Sequence, residues 1–373
     1  MTLRRTFHTS RQFQKTTSSA IPHISIHIAA ASSGKQRKYE PEKSTIDFEP
    51  SDDTALGLQK GGGVYVKRRG RPDSGEDSYF VARVGKGSDT YALGVCDGVG
   101  GWQEHGIDPA DFSHGLCDYM AQKSLSWQEG DDGLTPLKLL QYAYDQTLQD
   151  QSILAGGSTG SVGIVDSEGR LRTANLGDSG FVQLRLGTVL NLSQPQTHAF
   201  NTPFQMSKTP PEMMTQAAIF GGLPLNDDPS RSDTGEYTLQ HGDVVIFATD
   251  GVWDNLSPQD ILTTVSALMR ESGAWERSGE KGYTVTKQLS ALMQKRVVDG
   301  EQRYSLPSVI ASHIVGEAKT ASRDRKRDGP FAKAVQKEFP FDRYHGGKID
   351  DITVIALVAV ETGKEFGELK AKL

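Results

Sequence analysis

Residues 90–101 have the sequence TYALGVCDGVGG, in which an apolar run ends at Asp97 and Gly98 follows at once. Alternating apolar residues that end at an Asp-Gly turn are typical of a β-strand. Residues 243–251, DVVIFATDG, repeat this arrangement and end their apolar run at Asp250. Two such segments predict buried strands that place carboxylates at one edge of a sheet.

Two further acidic pairs lie beside predicted strands. Glu76 and Asp77 precede the apolar segment 78–84, and Asp350 and Asp351 precede the final apolar segment. An acidic residue of this kind, taken alone, is more often part of a turn than a ligand. Several carboxylates that converge at buried strand ends would repel one another unless cations neutralised them. The combination therefore predicts bound metal.

The residue types at this edge indicate which metal it binds. An all-oxygen ligand set favours Mg²⁺ or Mn²⁺, and the absence of paired His or Cys ligands argues against zinc. Two cations about 3.5 to 4 Å apart, bridged by one carboxylate, hold a hydroxide and clamp phosphoryl oxygens during an in-line displacement. The acidic segments therefore predict a phosphohydrolase that uses two divalent cations and no protein nucleophile.

The predicted elements are grouped rather than alternating. Strands are predicted over residues 64–68, 78–84, 90–97, 158–166, 171–175, 180–186, 189–192, 243–249 and 353–360, and helices over residues 109–126, 135–154, 258–270, 284–298 and 306–318. Grouped strands and grouped helices predict an α+β fold. The aperiodic segment at about 194–235 is interpreted as a flap beside the active site. A basic insert is predicted at about 323–340.

The composition of the chain argues against several kinds of binding partner. A net charge of −6 and a pI near 5.9 give the chain no electrostatic reason to bind nucleic acid or an anionic membrane. The longest apolar run, at residues 354–360, is far shorter than the roughly 20 residues of a membrane span. Cys96 and Cys117 are too few for a disulfide scaffold and are predicted to be buried, reduced thiols. A monomer is expected.

The first 40 residues differ in composition from the rest. Seven basic residues precede the first acidic one, Glu40: Arg4, Arg5, Arg11, Lys15, Lys35, Arg37 and Lys38. On a helical wheel, Arg4 and Arg11 fall opposite Leu3 and Phe7. An amphipathic, Arg-rich and Ser-rich leader without acidic residues is typical of a mitochondrial presequence, predicted here at 1–40 with a linker at 41–60. A disordered basic tail and a plastid address are the alternatives.

Six short segments occur in a particular order along the chain. They are GED at 75–77, VCDGVGG at 95–101, GSTG at 157–160, NLGDS at 175–179, ATDGVWD at 248–254 and DDITV at 350–354. This series resembles the metal-dependent protein phosphatases of the PPM class, also called type 2C serine/threonine phosphatases. The DGVGGW segment at 97–102 and FNTPFQ at 200–205 are similar to the mitochondrial branch of that class.

The resemblance implies a fold and an activity. The fold would be a four-layer αββα sandwich, in which helix pairs flank two antiparallel sheets, over residues 61–362, followed by a tail at 363–373. The activity would be hydrolysis of phosphoserine and phosphothreonine in phosphoproteins by a hydroxide that the cations hold. The mitochondrial matrix, and enzymes of coenzyme Q biosynthesis or of metabolism, are the implied location and substrates.

The resemblance also implies a role for each acidic residue. Asp97 would bridge the two cations, which are Mn²⁺ or Mg²⁺. The carbonyl of Gly98 and Glu76, directly or through water, would hold one cation. Asp250 and Asp350 would complete the site of the other.

Further roles follow from the same resemblance. Asp178 would join Asp250 at a weaker third cation site, and Asp77 would orient a water molecule. The implied catalytic group is thus Asp97, Asp250, Glu76 and Asp77. Structural roles are expected for Asn175, Ser158, Thr159 and Asp351.

The chain departs from the family pattern at two positions. Many members carry an Arg that grips the phosphate where this chain has Pro72, and the candidates to replace it are Arg71, Arg69 and Arg68. Many carry a His, proposed to protonate the leaving oxygen, where this chain has Val99. His105, His114 or a water held by metal could serve instead, and a solvent-facing or structural role is the alternative for each His.

Two other functions are compatible with parts of this pattern. The first is a phosphatase-like binding module that has lost its metal, which the missing Arg and His would favour. The intact acidic set argues against it, because burying unpaired carboxylates is costly. The second is a phosphatase of a small phosphorylated metabolite.

Overall fold

The computed structural model describes residues 23–59, 68, 70–128, 133–220, 225–279, 282–298 and 301–362. The strands are β1 (His23–Ser33), β2 (Thr45–Asp47), β3 (Ser78–Arg83), β4 (Tyr91–Cys96), β5 (Gly156–Ser158), β6 (Gly160–Val165), β7 (Arg170–Leu176), β8 (Gly180–Arg185), β9 (Thr188–Leu192), β10 (Thr197–Ala199), β11 (Thr202–Pro203), β12 (Met206–Lys208), β13 (Asp233–Thr238), β14 (Val244–Ala248), β15 (Trp275–Ser278), β16 (Gly282–Val285), β17 (Arg296–Val298), β18 (Glu301–Arg303) and β19 (Ile352–Thr362). The α-helices are α1 (Pro41–Ser44), α2 (Ala110–Ser126), α3 (Pro136–Gln149), α4 (Pro211–Phe220), α5 (Asp250–Trp253), α6 (Pro258–Glu271), α7 (Leu306–Arg323) and α8 (Pro330–Glu338).

Two large sheets organise the chain. One has six strands in the order β2-β1-β19-β14-β8-β9, and the other has five in the order β13-β7-β6-β4-β3. Neighbouring strands in both sheets run antiparallel. The predicted α+β fold with two antiparallel sheets is confirmed.

Three buried apolar clusters show how the sheets and helices stack. One cluster joins the six-stranded sheet to α6 and α7, and includes Ile310 and Val354. A second joins the five-stranded sheet to α2 and α3, and includes Leu116. The third lies between the two sheets and includes Leu93 and Phe247. These clusters indicate the order helix pair, sheet, sheet, helix pair.

The strand registers bring the acidic segments together. In the six-stranded sheet Ala248 pairs with Val354, so the end of β14 lies beside the start of β19. In the five-stranded sheet Ser78 pairs with Cys96, so the start of β3 lies beside the end of β4. In each sheet two acidic segments therefore lie side by side, and a hydrogen bond from Thr249 to Asp77 connects the two sheets at this end.

The folded domain begins earlier than predicted. Strand β1 pairs with β19 along its whole length, and its side chains Ile24, Ile26 and Ile28 are buried. Helix α1 and strand β2 follow within the segment interpreted as a linker. A boundary at residue 61 and a presequence that extends to residue 40 are therefore wrong. The short alternation of apolar and polar residues from Ile24 to Ile28 is the strand signal, and the basic composition around it masked that signal.

Other predicted segments are corrected or lie outside the described residues. The helix predicted at 284–298 is wrong: β16, a 3₁₀ turn at Leu289–Leu292 and β17 occupy it. The predicted flap contains ordered strands, and its end enters β13, which pairs with β7. Residues 1–22, most of the strand predicted at 64–68 and the tail 363–373 lie outside the described residues.

Two predictions from composition can be compared with the structure. Cys96 and Cys117 are free and buried, as expected. Within the described ranges, no helix combines the length and apolar composition that a membrane crossing requires.

Candidate metal centre

Asp97 lies at the end of β4, where hydrogen bonds fix its backbone. Its N–H donates to Thr159 Oγ1 at 3.2 Å, and its carbonyl accepts from Ser158 Oγ at 2.8 Å. At the next residue, Gly98, a Cβ atom would lie 2.7 Å from the carbonyl oxygen of Glu76, a distance that real Cβ atoms essentially never show. Glycine therefore lets the end of β4 approach the segment that carries Glu76. The predicted structural roles of Ser158 and Thr159 agree with these contacts.

Glu76 and Asp77 lie at the start of β3 beside this edge. Thr249 Oγ1 donates to Asp77 Oδ2 at 2.7 Å, and Asp77 Oδ1 is buried with no hydrogen-bond partner in the described part of the chain. Burial and the charge of Asp351 raise the pKa of Asp77 well above its ordinary value. The same two causes raise the pKa of Glu76 to about 7, although Gln103 donates a hydrogen bond to it. Both carboxyl groups therefore bind protons more readily than they would in water.

Asp97, Asp178 and Asp250 lie close enough to affect one another electrostatically. Burial, followed by the charge of Asp250, raises the pKa of Asp97 well above its ordinary value. Burial and the charge of Asp250 also raise the pKa of Asp178 to about 7. Asp178 Oδ1 is buried and has no hydrogen-bond partner among the residues that the structure describes. This mutual repulsion is the condition that a bound cation would relieve.

A lysine that the sequence analysis did not identify lies among these carboxylates. Lys348 Nζ is 2.6 Å from Asp250 Oδ2, 2.6 Å from Asp254 Oδ2 and 3.0 Å from Asp350 Oδ2. The amide of Asn255 holds its backbone, because Lys348 N–H donates to Asn255 Oδ1 at 3.0 Å. Burial opposes ionisation of Asp250, but the charge of Lys348 and hydrogen bonds with Lys348, Asp97 and Asp254 together outweigh it and lower the pKa of that carboxyl. Lys348 follows the basic insert in an irregular segment, so no apolar periodicity in the sequence predicts its position.

Whether these acidic residues fit divalent cations depends on the geometry of the group and on the chemistry of its donor atoms. Among the described residues, no group of three or more His, Cys, Asp or Glu side chains is arranged closely enough to hold a metal ion. In this conformation Lys348 supplies the positive charge. The donor chemistry nevertheless fits, because the set consists of carboxylate oxygens and includes the unpartnered Oδ1 of Asp178.

The arginines predicted as candidates for the missing phosphate contact form ion pairs with other carboxylates. Arg71 Nη1 lies 3.0 Å from Asp108 Oδ2, and its Nη2 pairs with Asp111. Arg68 Nη2 also pairs with Asp111 Oδ2, at 2.5 Å. Arg69 lies outside the described residues. These ion pairs at the start of α2 argue against Arg68 and Arg71 as the missing phosphate contact.

The two histidines proposed as acids differ in environment. His114 is buried on α2, with Nδ1 3.3 Å from Ser78 Oγ. Burial, with a contribution from Arg71, lowers the pKa of His114 to about 3, so it carries no proton to donate near neutral pH. His105 ends an exposed 3₁₀ turn, Gly100–His105. The structural alternative therefore applies to His114.

Two antiparallel sheets bring acidic segments together at one end, an arrangement compatible with a metal-dependent phosphatase, and comparisons with known proteins show the family. The chain is 31% identical over 350 residues to "Protein phosphatase 2C homolog 7, mitochondrial" of Saccharomyces cerevisiae, covering 93% of this chain and 91% of the yeast protein. It is 32% identical over 316 residues to "Protein phosphatase PTC7 homolog" of Homo sapiens, covering 83% and 84%. The chain therefore belongs to the PTC7 homologues of protein phosphatase 2C, which are Mn²⁺- or Mg²⁺-dependent protein serine/threonine phosphatases.

A solved structure supports the fold independently. The X-ray structure of the photosystem II phosphatase PBCP superposes with a TM-score of 0.55 at 23% identity, covering 82% of this chain and 98% of that one. A comparison with models of protein families gave no match. The family resemblance predicted from the acidic segments is thus confirmed by relatives that align over most of the chain.

Proposed function

We propose that this protein phosphatase hydrolyses phosphoserine and phosphothreonine with two divalent cations, Mn²⁺ or Mg²⁺. Asp97 would bridge them, Glu76 and the Gly98 carbonyl would hold one, and Asp250 and Asp350 would hold the other. The observation that carries this proposal is the proximity of these carboxylates, since burial and the charges of neighbouring Asp residues, Asp250 first among them, raise the pKa of Asp97. A third, weaker cation is proposed at Asp178 and Asp250, because Asp178 Oδ1 is buried and finds no partner within the described ranges.

The cations and the residues of the chain would have separate roles in the reaction. When bound, the cations supply a hydroxide nucleophile and neutralise the phosphoryl oxygens. Ser158 and Thr159 hold the backbone of Asp97 and so fix the centre of the ligand set. Asp77 Oδ1, which is buried and has no hydrogen-bond partner among the described residues, would orient the attacking water.

A turnover assay tests the proposal on a chain that starts at residue 23. We expect hydrolysis of a phosphoserine or phosphothreonine peptide in Mn²⁺ and none in EDTA. Asp250→Asn should lower the rate at least about 100-fold, because it removes a charge from the cation site. Asp145→Asn is the matched control, since Asp145 is an exposed helix residue that accepts a hydrogen bond from Gln141 on the same helix.

Two outcomes would favour the rival functions. Folded protein that binds Mn²⁺ but never turns over peptide would support the phosphatase-like binding module. Faster turnover of a small phosphorylated metabolite than of the peptide would support the metabolite phosphatase.

A mitochondrial location, in the matrix, is part of the proposal. Residues 1–22 contain Arg4, Arg5, Arg11 and Lys15 and no acidic residue, which is the composition of a presequence. The yeast relative carries the word mitochondrial in its name. Enzymes of coenzyme Q biosynthesis or of metabolism are the proposed substrates. A reporter fused to residues 1–22 should enter mitochondria. If the fused reporter stayed in the cytosol, residues 1–22 would not be a presequence.

A further inference from the structure

Lys35 lies at the rim of the acidic cluster, just after β1. Its side chain is 52% exposed, and its Nζ is 3.4 Å from Asp350 Oδ1. This is one long contact with a carboxylate whose other oxygen, Oδ2, lies 3.0 Å from Lys348 Nζ. An exposed ion pair of this length contributes little to stability. The ammonium group of Lys35 can therefore leave Asp350 for another anion at small cost.

The backbone of Lys35 is held firmly although its side chain is exposed. Its N–H donates to Asp351 Oδ1, and the other oxygen of that carboxylate accepts from the Glu76 N–H at 2.8 Å. Lys319 Nζ donates to the carbonyl of Gly34 at 2.5 Å and to that of Lys35 at 3.1 Å. A single carboxylate thus ties Lys35 to the segment that carries Glu76. Because these anchors are backbone groups of Lys35, they survive a change of its side chain.

The charge of Lys35 reaches both halves of the proposed cation site. Its ammonium acts electrostatically on Asp350, on Asp351 and on Glu76. Glu76 belongs to the ligand set of one proposed cation and Asp350 to that of the other. A phosphate group bound at this site would therefore lie within the influence of this lysine.

The other nearby cations are less available. Lys348 is 17% exposed and contacts three carboxylates. Arg71 is 13% exposed and pairs with Asp108 and Asp111. Neither can turn toward a substrate without giving up short ion pairs, whereas Lys35 gives up one long contact.

We propose that Lys35 contacts the phosphate group of the substrate and of the released product, supplying the positive charge that Pro72 does not. The inference rests on the proposed phosphatase function and assigns a phosphate contact within the same site. Lys35 binds the phosphate dianion alike before and after hydrolysis, so it contributes mainly to affinity.

The test is a calorimetric titration of the Mn²⁺-loaded chain with inorganic phosphate. Lys35→Met should weaken phosphate binding about tenfold, the effect of losing one charge-assisted hydrogen bond. Lys35→Arg should keep most of the affinity. Lys38→Met is the matched control, because Lys38 is an exposed lysine three residues further along the same segment. With a phosphopeptide, Lys35→Met should raise KM by a similar factor and leave kcat nearly unchanged.

Mn²⁺ titrations separate this role from a structural one. An unchanged phosphate affinity in Lys35→Met would overturn the inference, and tighter Mn²⁺ binding in that case would show that Lys35 only neutralises Asp350. The phosphate titration needs no turnover. If the wild type were inactive yet lost phosphate affinity on Lys35→Met, the phosphate contact would stand and the proposed function would fall. A wild type that binds no phosphate would overturn the contact itself.

Discussion

A chain that starts at residue 41 should fail to fold, whereas a chain that starts at residue 23 should fold like the full-length protein. The longer deletion removes β1, which lies between β2 and β19 in the six-stranded sheet. It also removes Ile24, Ile26 and Ile28 from the cluster between the sheets. Each buried side chain of this kind contributes about 1.5 to 3 kcal/mol. Their sum is comparable with the roughly 5 to 15 kcal/mol that stabilises a typical domain.

Circular dichroism and thermal denaturation of the two truncated chains check this expectation. The chain from residue 23 should show a cooperative transition within a few degrees of that of the full-length protein. The chain from residue 41 should be insoluble or lack a transition. A soluble, cooperative and active chain from residue 41 would show that β1 is dispensable, and would restore the longer presequence.

Asp97→Asn should abolish most activity and yet stabilise the metal-free protein. The variant loses the carboxylate proposed to bridge both cations, so we expect a rate at least about 100-fold lower. Without metal, burial and the charges of Asp250, Asp77, Asp350 and Asp178 disfavour ionised Asp97. A neutral amide of similar shape removes that repulsion, so the melting temperature of the metal-free variant should rise.

The stabilisation by Asp97→Asn should depend on pH. Below the unfolded pKa of Asp, about 3.9, the carboxyl is protonated in both states and its raised folded pKa has no effect. Above that pH the unfolded chain releases a proton that the folded chain retains, so wild-type stability falls until the folded pKa is passed. The advantage of the variant should therefore be smaller at pH 4.5 than at pH 7.5.

Denaturant unfolding in EDTA measures this advantage at each pH, with Asp145→Asn as the control for a simple loss of charge. Mn²⁺ should raise the melting temperature of the wild type more than that of Asp97→Asn. If Asp97→Asn destabilised the metal-free protein at both pH values, the carboxylates would not repel one another as described.

The acidic edge could be predicted because its signal is local. An apolar run that ends at Asp97 or Asp250 is visible within about ten residues of sequence, and strand registers then bring such ends together. The predicted helix at 284–298 failed because a short apolar spacing there fits both a helix and a pair of strands around a 3₁₀ turn. Local periodicity cannot decide between them.

The features that the sequence did not predict depend on contacts between residues that are far apart in the sequence. Strand β1 is defined by pairing with β19, and His23 and Thr362 are 339 residues apart. Lys35 and Lys348 gain their roles only because β1 and β19 place them on opposite oxygens of Asp350. Neither lysine belongs to a periodic segment, and no spacing rule connects them. The signal in the sequence that points to them is the surplus of carboxylates, because their repulsion requires cations nearby.

The pairing of β1 with β19 also determines when the fold can form. During synthesis, β1 emerges early and its partner emerges only after the intervening sheets and helices have been translated. Folding that closes so long a loop is slow, since its entropic cost precedes the gain from the contacts. The six-stranded sheet can therefore be completed only once β19 has been translated, and until then the unpaired edge of β1 is exposed to aggregation or to a chaperone.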